Sequence, residues 1–180
     1  MRQEIRISGF GGQGVALAGF VLGKALSLSE GLEVVMTQSY GPEARGGASS
    51  SNLVIADKEI NYPLVQDADV LVIFSQEGYT KYRPQAKPDA IVFIDEDLVT
   101  TSEKDEVHRI PSTKIAEELG RRIVANMVML GYLTAITGLA KRESMEESIK
   151  TTVREKTVPL NLKAFAAGYE YAPEKEKADE

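Results

Sequence analysis

Two glycine-rich stretches hold the residues whose types and spacing suit chemistry. The first is Gly9-Phe10-Gly11-Gly12-Gln13-Gly14. Its glycines allow a tight turn and leave backbone uncovered. A helix that starts directly after such a turn aims unpaired N–H groups and the positive end of its dipole back into the loop. Phosphate, pyrophosphate or carboxylate is the natural guest. The second stretch is Ser39-Tyr40-Gly41-Pro42-Glu43-Ala44-Arg45-Gly46-Gly47-Ala48-Ser49-Ser50-Ser51. Its glycines, proline and serines make it a loop by turn chemistry, and its length makes a functional loop the better reading. Arg45 beside Gly46 and Gly47 sets a forked cation next to bare backbone, which suits a carboxylate or phosphate. A solvent-facing turn in which Arg45 pairs with Glu43 is the plainer alternative.

A bound dinucleotide would require more. The ribose hydroxyls need an Asp or Glu about 20 residues past the loop, at the far end of the second strand. That strand reads Glu33-Val34-Val35-Met36-Thr37-Gln38. Its one acid stands at the wrong end, and Thr37 and Gln38 occupy the ribose-reading position. The glycines can also serve simply to let helix and strand pack closely. A third polar residue, Asn126, opens the most apolar stretch of the chain, either as a helix cap or in a ligand or interface role.

Composition removes several classes of function. The sequence has no cysteine, so thiolate-held iron–sulfur clusters, disulfides and a Cys nucleophile are excluded. One histidine, His108, rules out a multi-His metal site. A formal net charge of −6 disfavours a general nucleic-acid binder. No apolar run approaches the ~18 residues of a membrane span. The start, Met1-Arg2-Gln3-Glu4, leads straight into a strand, so a cytoplasmic location is expected.

The elements that must position these residues follow from periodicity. A strand over 3–8 precedes the first loop. A helix over 14–29 follows it, with Leu17, Val21, Ala25 and Leu28 on one face and Gly31 just past its end. The second strand, 33–38, ends where the second loop begins. In open α/β sheets ligands bind beyond the carboxyl ends of strands, so the two loops should be neighbours. Residues 52–56 and 59–62 read as a small antiparallel hairpin, and 63–67 as a short helix. Buried strands are expected over 69–74 and 90–95. Ser75, Gln76 and Glu77 either line the crevice or cap the amphipathic helix over 78–85. The acidic run after Asp95 reads as a solvated loop. Residues 107–111 form the last strand, with His108 structural or exposed, and Ser112 or Thr113 caps a helix over 114–120. The helix over 127–137 is apolar nearly all round, and Gly131 within it marks close packing. A helix over 144–156 and a last segment, 159–171, follow. The fold class is α/β: one Rossmann-like layered domain, 1–172, with a mostly parallel sheet, a small antiparallel hairpin and C-terminal helices. The charged tail 173–180 is expected to be disordered.

The chain resembles the gamma subunit of the 2-oxoacid:ferredoxin oxidoreductases. The resemblance rests on the first loop, on Gln38-Ser39-Tyr40-Gly41-Pro42-Glu43-Ala44-Arg45-Gly46-Gly47, and on Ala125-Asn126-Met127-Val128-Met129-Leu130-Gly131. It extends from about residue 3 to about residue 170. The wording of the second motif is most similar to the 2-oxoglutarate member, with the pyruvate, 2-oxoisovalerate and indolepyruvate members close by. The resemblance implies a cytoplasmic heterotetramer with alpha, beta and delta subunits. Such an assembly decarboxylates a 2-oxoacid on thiamine diphosphate and Mg²⁺, reduces ferredoxin through iron–sulfur clusters and releases an acyl-CoA. This chain lacks the Gly-Asp-Gly start of a thiamine diphosphate motif and has no Cys, so those groups would belong to sister chains. It would shape and dock the active site and the CoA path, with Gly9, Gly11, Gly12, Gln13, Gly14, Ser39, Tyr40, Gly41, Pro42, Glu43, Arg45, Gly46, Gly47 and Asn126 as its ligand or interface residues and no catalytic residue of its own. A free-standing nucleotide-binding protein and a purely scaffolding subunit are the competing readings. Self-association of the isolated chain is a further expectation.

Overall fold

Alternation along the first strand, β1 (Arg2–Gly9), sets the two faces of the sheet. Ile5 and Ile7 turn into the larger apolar core, while Arg6 and Ser8 turn to the other side. The computed structural model describes residues 1–40 and 48–172. Its six-stranded sheet runs in the order β2 (Glu33–Ser39), β3 (Ser49–Ala56), β1, β4 (Ala68–Ile73), β5 (Ala86–Asp95) and β6 (His108–Ile110). β1, β4, β5 and β6 pair in parallel, whereas β3 is antiparallel to both its neighbours.

The antiparallel pairing differs from a hairpin over 52–56 and 59–62. β3 is buried almost throughout, so it belongs inside the sheet, and it lies between β2 and β1. Residues 59–62 form no strand and 63–67 no helix. The Glu4 carboxylate accepts the backbone N–H groups of Gln66 (2.6 Å) and Asp67 (3.1 Å). The Arg6 guanidinium donates to the carbonyl of Val65 at 3.2 Å. This segment is therefore tied to β1 by side chains, which take the backbone groups a local helix or strand would have used.

Most helices cover the face that carries Ile5 and Ile7. They are α1 (Val15–Lys24), α3 (Ser112–Glu118), α4 (Ala125–Thr137), α5 (Arg142–Thr152) and α6 (Val158–Tyr171). Past Lys24 the first helix widens into a π turn over Ala25–Ser29, and Gly31 leaves it with φ +70°. On the other face lies α2 (Gln76–Tyr82), whose Tyr79 and Tyr82 pack on Leu71, Ile73, Val92 and Ile94. α4 is buried from Ala125 to Ala135. Its Gly131 lies against the backbone of Phe165 in α6, and Gly168 of α6 against the carbonyl of Val128, so a Cβ at either position would overlap a carbonyl oxygen. The two helices touch main chain to main chain. α5 starts at Arg142 because Glu30 reaches its first turn, accepting from Lys141 N–H at 3.0 Å and from the Ser144 hydroxyl at 2.5 Å.

Candidate functional site

The first loop leaves β1 at Gly9 and enters α1 at Gly14. Gly12 and Gly14 have φ of +88° and +72°, which a side chain would oppose. Gln13 is the loop's clasp. Its Oε1 accepts the Phe10 N–H at 2.6 Å, and its Nε2 donates to the Phe74 carbonyl at 3.0 Å, just past β4. The Gln13 N–H closes a turn onto Phe10 O at 3.2 Å. One side chain thus holds the loop to the ends of two neighbouring strands.

Asn126 fixes the other side. It is 2% exposed and lies inside α4, two residues past the cap position, which Val124 occupies in its place. Its Nδ2 donates to the Gly14 carbonyl at 3.1 Å and its Oδ1 accepts the Met127 N–H at 2.8 Å. It therefore satisfies an amide of its own first turn and also bridges to the loop 112 residues away. A Cβ at Gly14 would strike this amide.

The ends of the second loop lie beside the first. Ser39 pairs with Ser50, and Ser49 pairs with Gly9. The Ser8 hydroxyl donates to Ser49 O at 2.9 Å, and the Ser49 hydroxyl donates to Gly9 O at 3.0 Å. Tyr40 is exposed and donates to Gln38 Oε1. Gly41, Pro42, Glu43, Arg45, Gly46 and Gly47 lie outside the described residues.

Other expected site residues turn out to be structural. Ser75 caps α2, its Oγ accepting the Gly78 N–H at 3.1 Å. Gln76 exchanges hydrogen bonds with Thr100. Neither Ser112 nor Thr113 is a cap: Pro111 holds that position. The fully buried Asp95, at the end of β5, supplies the acceptor instead. It takes the Ser112 hydroxyl (2.5 Å), the Thr113 N–H (2.8 Å) and the Thr113 hydroxyl (2.7 Å). One carboxyl oxygen that accepts three donors at once satisfies the start of the helix better than a local hydroxyl. His108 stacks on Phe93 with ring centres 5.0 Å apart. Tyr79, held by Asp105, has its phenol pushed up to about 12, first by burial and then by that hydrogen bond.

Two cavities open beside the first loop. One, of about 220 Å³, is walled by Gly12, Gln13, Phe74, Thr113 and Arg122. The other, of about 310 Å³, lies against Gly14, Arg121, Asn126, Arg154 and Asn161. Ile123, 51% exposed, stands between them and lines both. Arg122 has Glu117 at 3.6 Å on the surface. Among the described residues no carboxylate pairs with Arg121 or Arg154. The arrangement can take an anion with an apolar portion: the guanidiniums meet the charge and the walls take the rest. Sequence reasoning missed these three arginines. The available signal was Arg121-Arg122 directly before a helix, where the dipole disfavours cations.

The family model described as pyruvate ferredoxin/flavodoxin oxidoreductase matches residues 4–171. The chain belongs to this family. Among family members, the 2-oxoglutarate synthase subunit KorC of Methanocaldococcus jannaschii is 52% identical over 179 residues, covering 97% of this chain and 96% of the relative. The KorC subunit of Methanothermobacter marburgensis is 50% identical, covering 98% and 100%. The solved gamma subunit of a keto/oxoacid ferredoxin oxidoreductase from Geobacter sulfurreducens superimposes with a TM-score of 0.84 at 39% identity, covering 94% of this chain and 95% of that one. As an oxidoreductase-family chain, it follows the α/β architecture read from the sequence, with its mostly parallel sheet, antiparallel strand and C-terminal helices.

Proposed function

We propose that the chain is the gamma subunit of a cytoplasmic 2-oxoglutarate:ferredoxin oxidoreductase, and that its two loops and the adjoining crevice dock the CoA path and partner chains. The identity to 2-oxoglutarate synthase subunits along nearly the whole chain carries the substrate assignment. The reaction is oxidative decarboxylation of the 2-oxoacid to an acyl-CoA, with two electrons passed to ferredoxin. Thiamine diphosphate, Mg²⁺ and the clusters belong to the alpha, beta and delta chains in this reading, since this sequence offers no thiolate to a cluster.

CoA suits the crevice by charge and shape. Its phosphates would face Arg122, Arg154 and the N-terminus of α1, and its apolar portions the walls around Ile123. Gln13 and Asn126 would keep the loop preorganised for that contact. Arg45 would meet a CoA phosphate, a substrate carboxylate or an acidic partner from the second loop.

Anaerobic co-purification at native abundance tests the assembly, which should contain sister chains carrying thiamine diphosphate and iron–sulfur clusters. Within that assembly, Arg45→Ala and Arg122→Ala should each raise the apparent KM for CoA or 2-oxoglutarate by about tenfold, the order expected for one charged hydrogen bond, or weaken assembly. Unchanged kinetics together with unchanged assembly would refute the docking role. Loss of assembly with normal turnover in the remaining intact complex would favour a purely scaffolding subunit.

A further inference from the structure

The outer edge of β2 is built to accept another strand. β2 is seven residues long and, among the described residues, pairs only with β3. Natural sheets blunt such edges with charge, proline, bulges or brevity. The opposite edge obeys this rule: β6 has three residues, includes Arg109 and runs into Pro111. β2 does not. Its interior reads Val34-Val35-Met36-Thr37, its one charge is Glu33 at the start, and it contains no proline or bulge.

The helix layer beside this edge is also unfinished. Phe20 is 52% exposed and Leu28 74% exposed. With Lys24, Val34 and Met36 they line a groove of about 270 Å³ along β2.

We infer that this edge joins two copies of the chain, β2 to β2, about a two-fold axis perpendicular to the sheet that passes midway between the two Met36 residues. Met36 is the midpoint of β2, so this antiparallel register pairs all seven residues. Val35 then faces Thr37 of the second copy, a β-branched pair suited to a ladder. Glu33 faces Ser39 of the second copy, so the one charge of each strand meets a hydroxyl and not its own copy. For a chain of net charge −6, that absence of like-charge contact is what makes self-pairing allowed.

The helix layer fits the same operation. A perpendicular two-fold keeps both α1 helices on one side of the joined sheet. α1 packs most heavily on β3, and the two β3 strands would be three spacings apart, about 14 Å. Helices of about 10–12 Å diameter at that separation leave a narrow trough above the paired β2 strands. Phe20 of each copy fills it. The interface is isologous and closes at two.

The test uses the full chain and does not depend on the CoA reading. Sedimentation between 1 and 100 µM should give twice the 19.6 kDa of one chain. Phe20→Glu with Leu28→Glu should raise the dissociation constant at least tenfold with an unchanged circular dichroism spectrum. The sequence has no cysteine, so Met36→Cys adds a unique thiol. Antiparallel partners sit within disulfide range, and mild oxidation should link two copies at that position. A monomer throughout the range would overturn the inference, as would a dimer indifferent to the double substitution that gives no link at position 36. A link from position 36 to a different subunit in the assembled enzyme would also overturn it and assign the edge to that subunit.

Discussion

Gln13→Glu isolates the clasp of the first loop. The substitution keeps side-chain length and the acceptor for the Phe10 N–H, and removes only the donor to the Phe74 carbonyl. Two oxygens then face each other where a 3.0 Å hydrogen bond stood. Leaving that carbonyl unsatisfied costs about 1–3 kcal/mol, which for a chain of this size lowers Tm by roughly 3–10 °C. The penalty depends on pH. The facing carbonyl disfavours the introduced carboxylate, so its folded-state pKa lies above the unfolded value of about 4.3. The penalty is full above the folded pKa and disappears below the unfolded one, because a protonated carboxyl can donate again. Circular dichroism melts at pH 7.5 and pH 4.5 read this directly, with Gln13→Met, which loses both bonds at every pH, as the control. The reasoning fails if Gln13→Glu melts with wild type at pH 7.5, or if its deficit relative to wild type does not shrink on acidification while that of Gln13→Met stays.

Two other perturbations test the surrounding frame. Gly168→Ala places a methyl group on the Val128 carbonyl and must part α4 from α6; overpacking of this kind costs about 3 kcal/mol or more, readable as a lower denaturant midpoint. Glu30 is held below its ordinary carboxylate pKa, first by the Ser144 hydroxyl and then by the Lys141 N–H against an opposing burial effect. Its contribution is therefore complete above pH 4.5 and is lost as pH falls through the lower folded value. Glu30→Gln should destabilise by about 1 kcal/mol at pH 7 and match wild type in acid, as unfolding curves at both pH values would record.

Local chemistry was legible in the sequence, whereas long-range choice of partner was not. The strand, glycine turn and helix at 3–29 announced the first loop, and Gly131 announced close packing. Ser75 before Gln76-Glu77-Gly78 was readable as a cap. The run 52–56 was legible as a strand, but its burial inside the sheet and the strands that flank it were not, because periodicity carries no pairing information. Ser112 and Thr113 looked like caps because they are capping residue types; the acceptor that displaced them, Asp95, comes from the end of another strand. Gln13 and Asn126 were picked out by motif, but their roles as clasp and bridge depend on Phe74 and Gly14, which only the folded chain brings near.

The main-chain contact between α4 and α6 also imposes an order in time. β1 is synthesised first, yet its parallel neighbour starts more than sixty residues later, with Ile5 beside Val70. The apolar α4 remains without its cover until α6, at Val158–Tyr171, has been made. The same last helix contributes Leu160 and Asn161 to the crevice wall. A prematurely ended chain therefore has neither a closed core nor a complete crevice. Partner chains docking there, as proposed, would pass over truncated products, and the carboxyl-terminal helix would then serve as a completion signal for assembly.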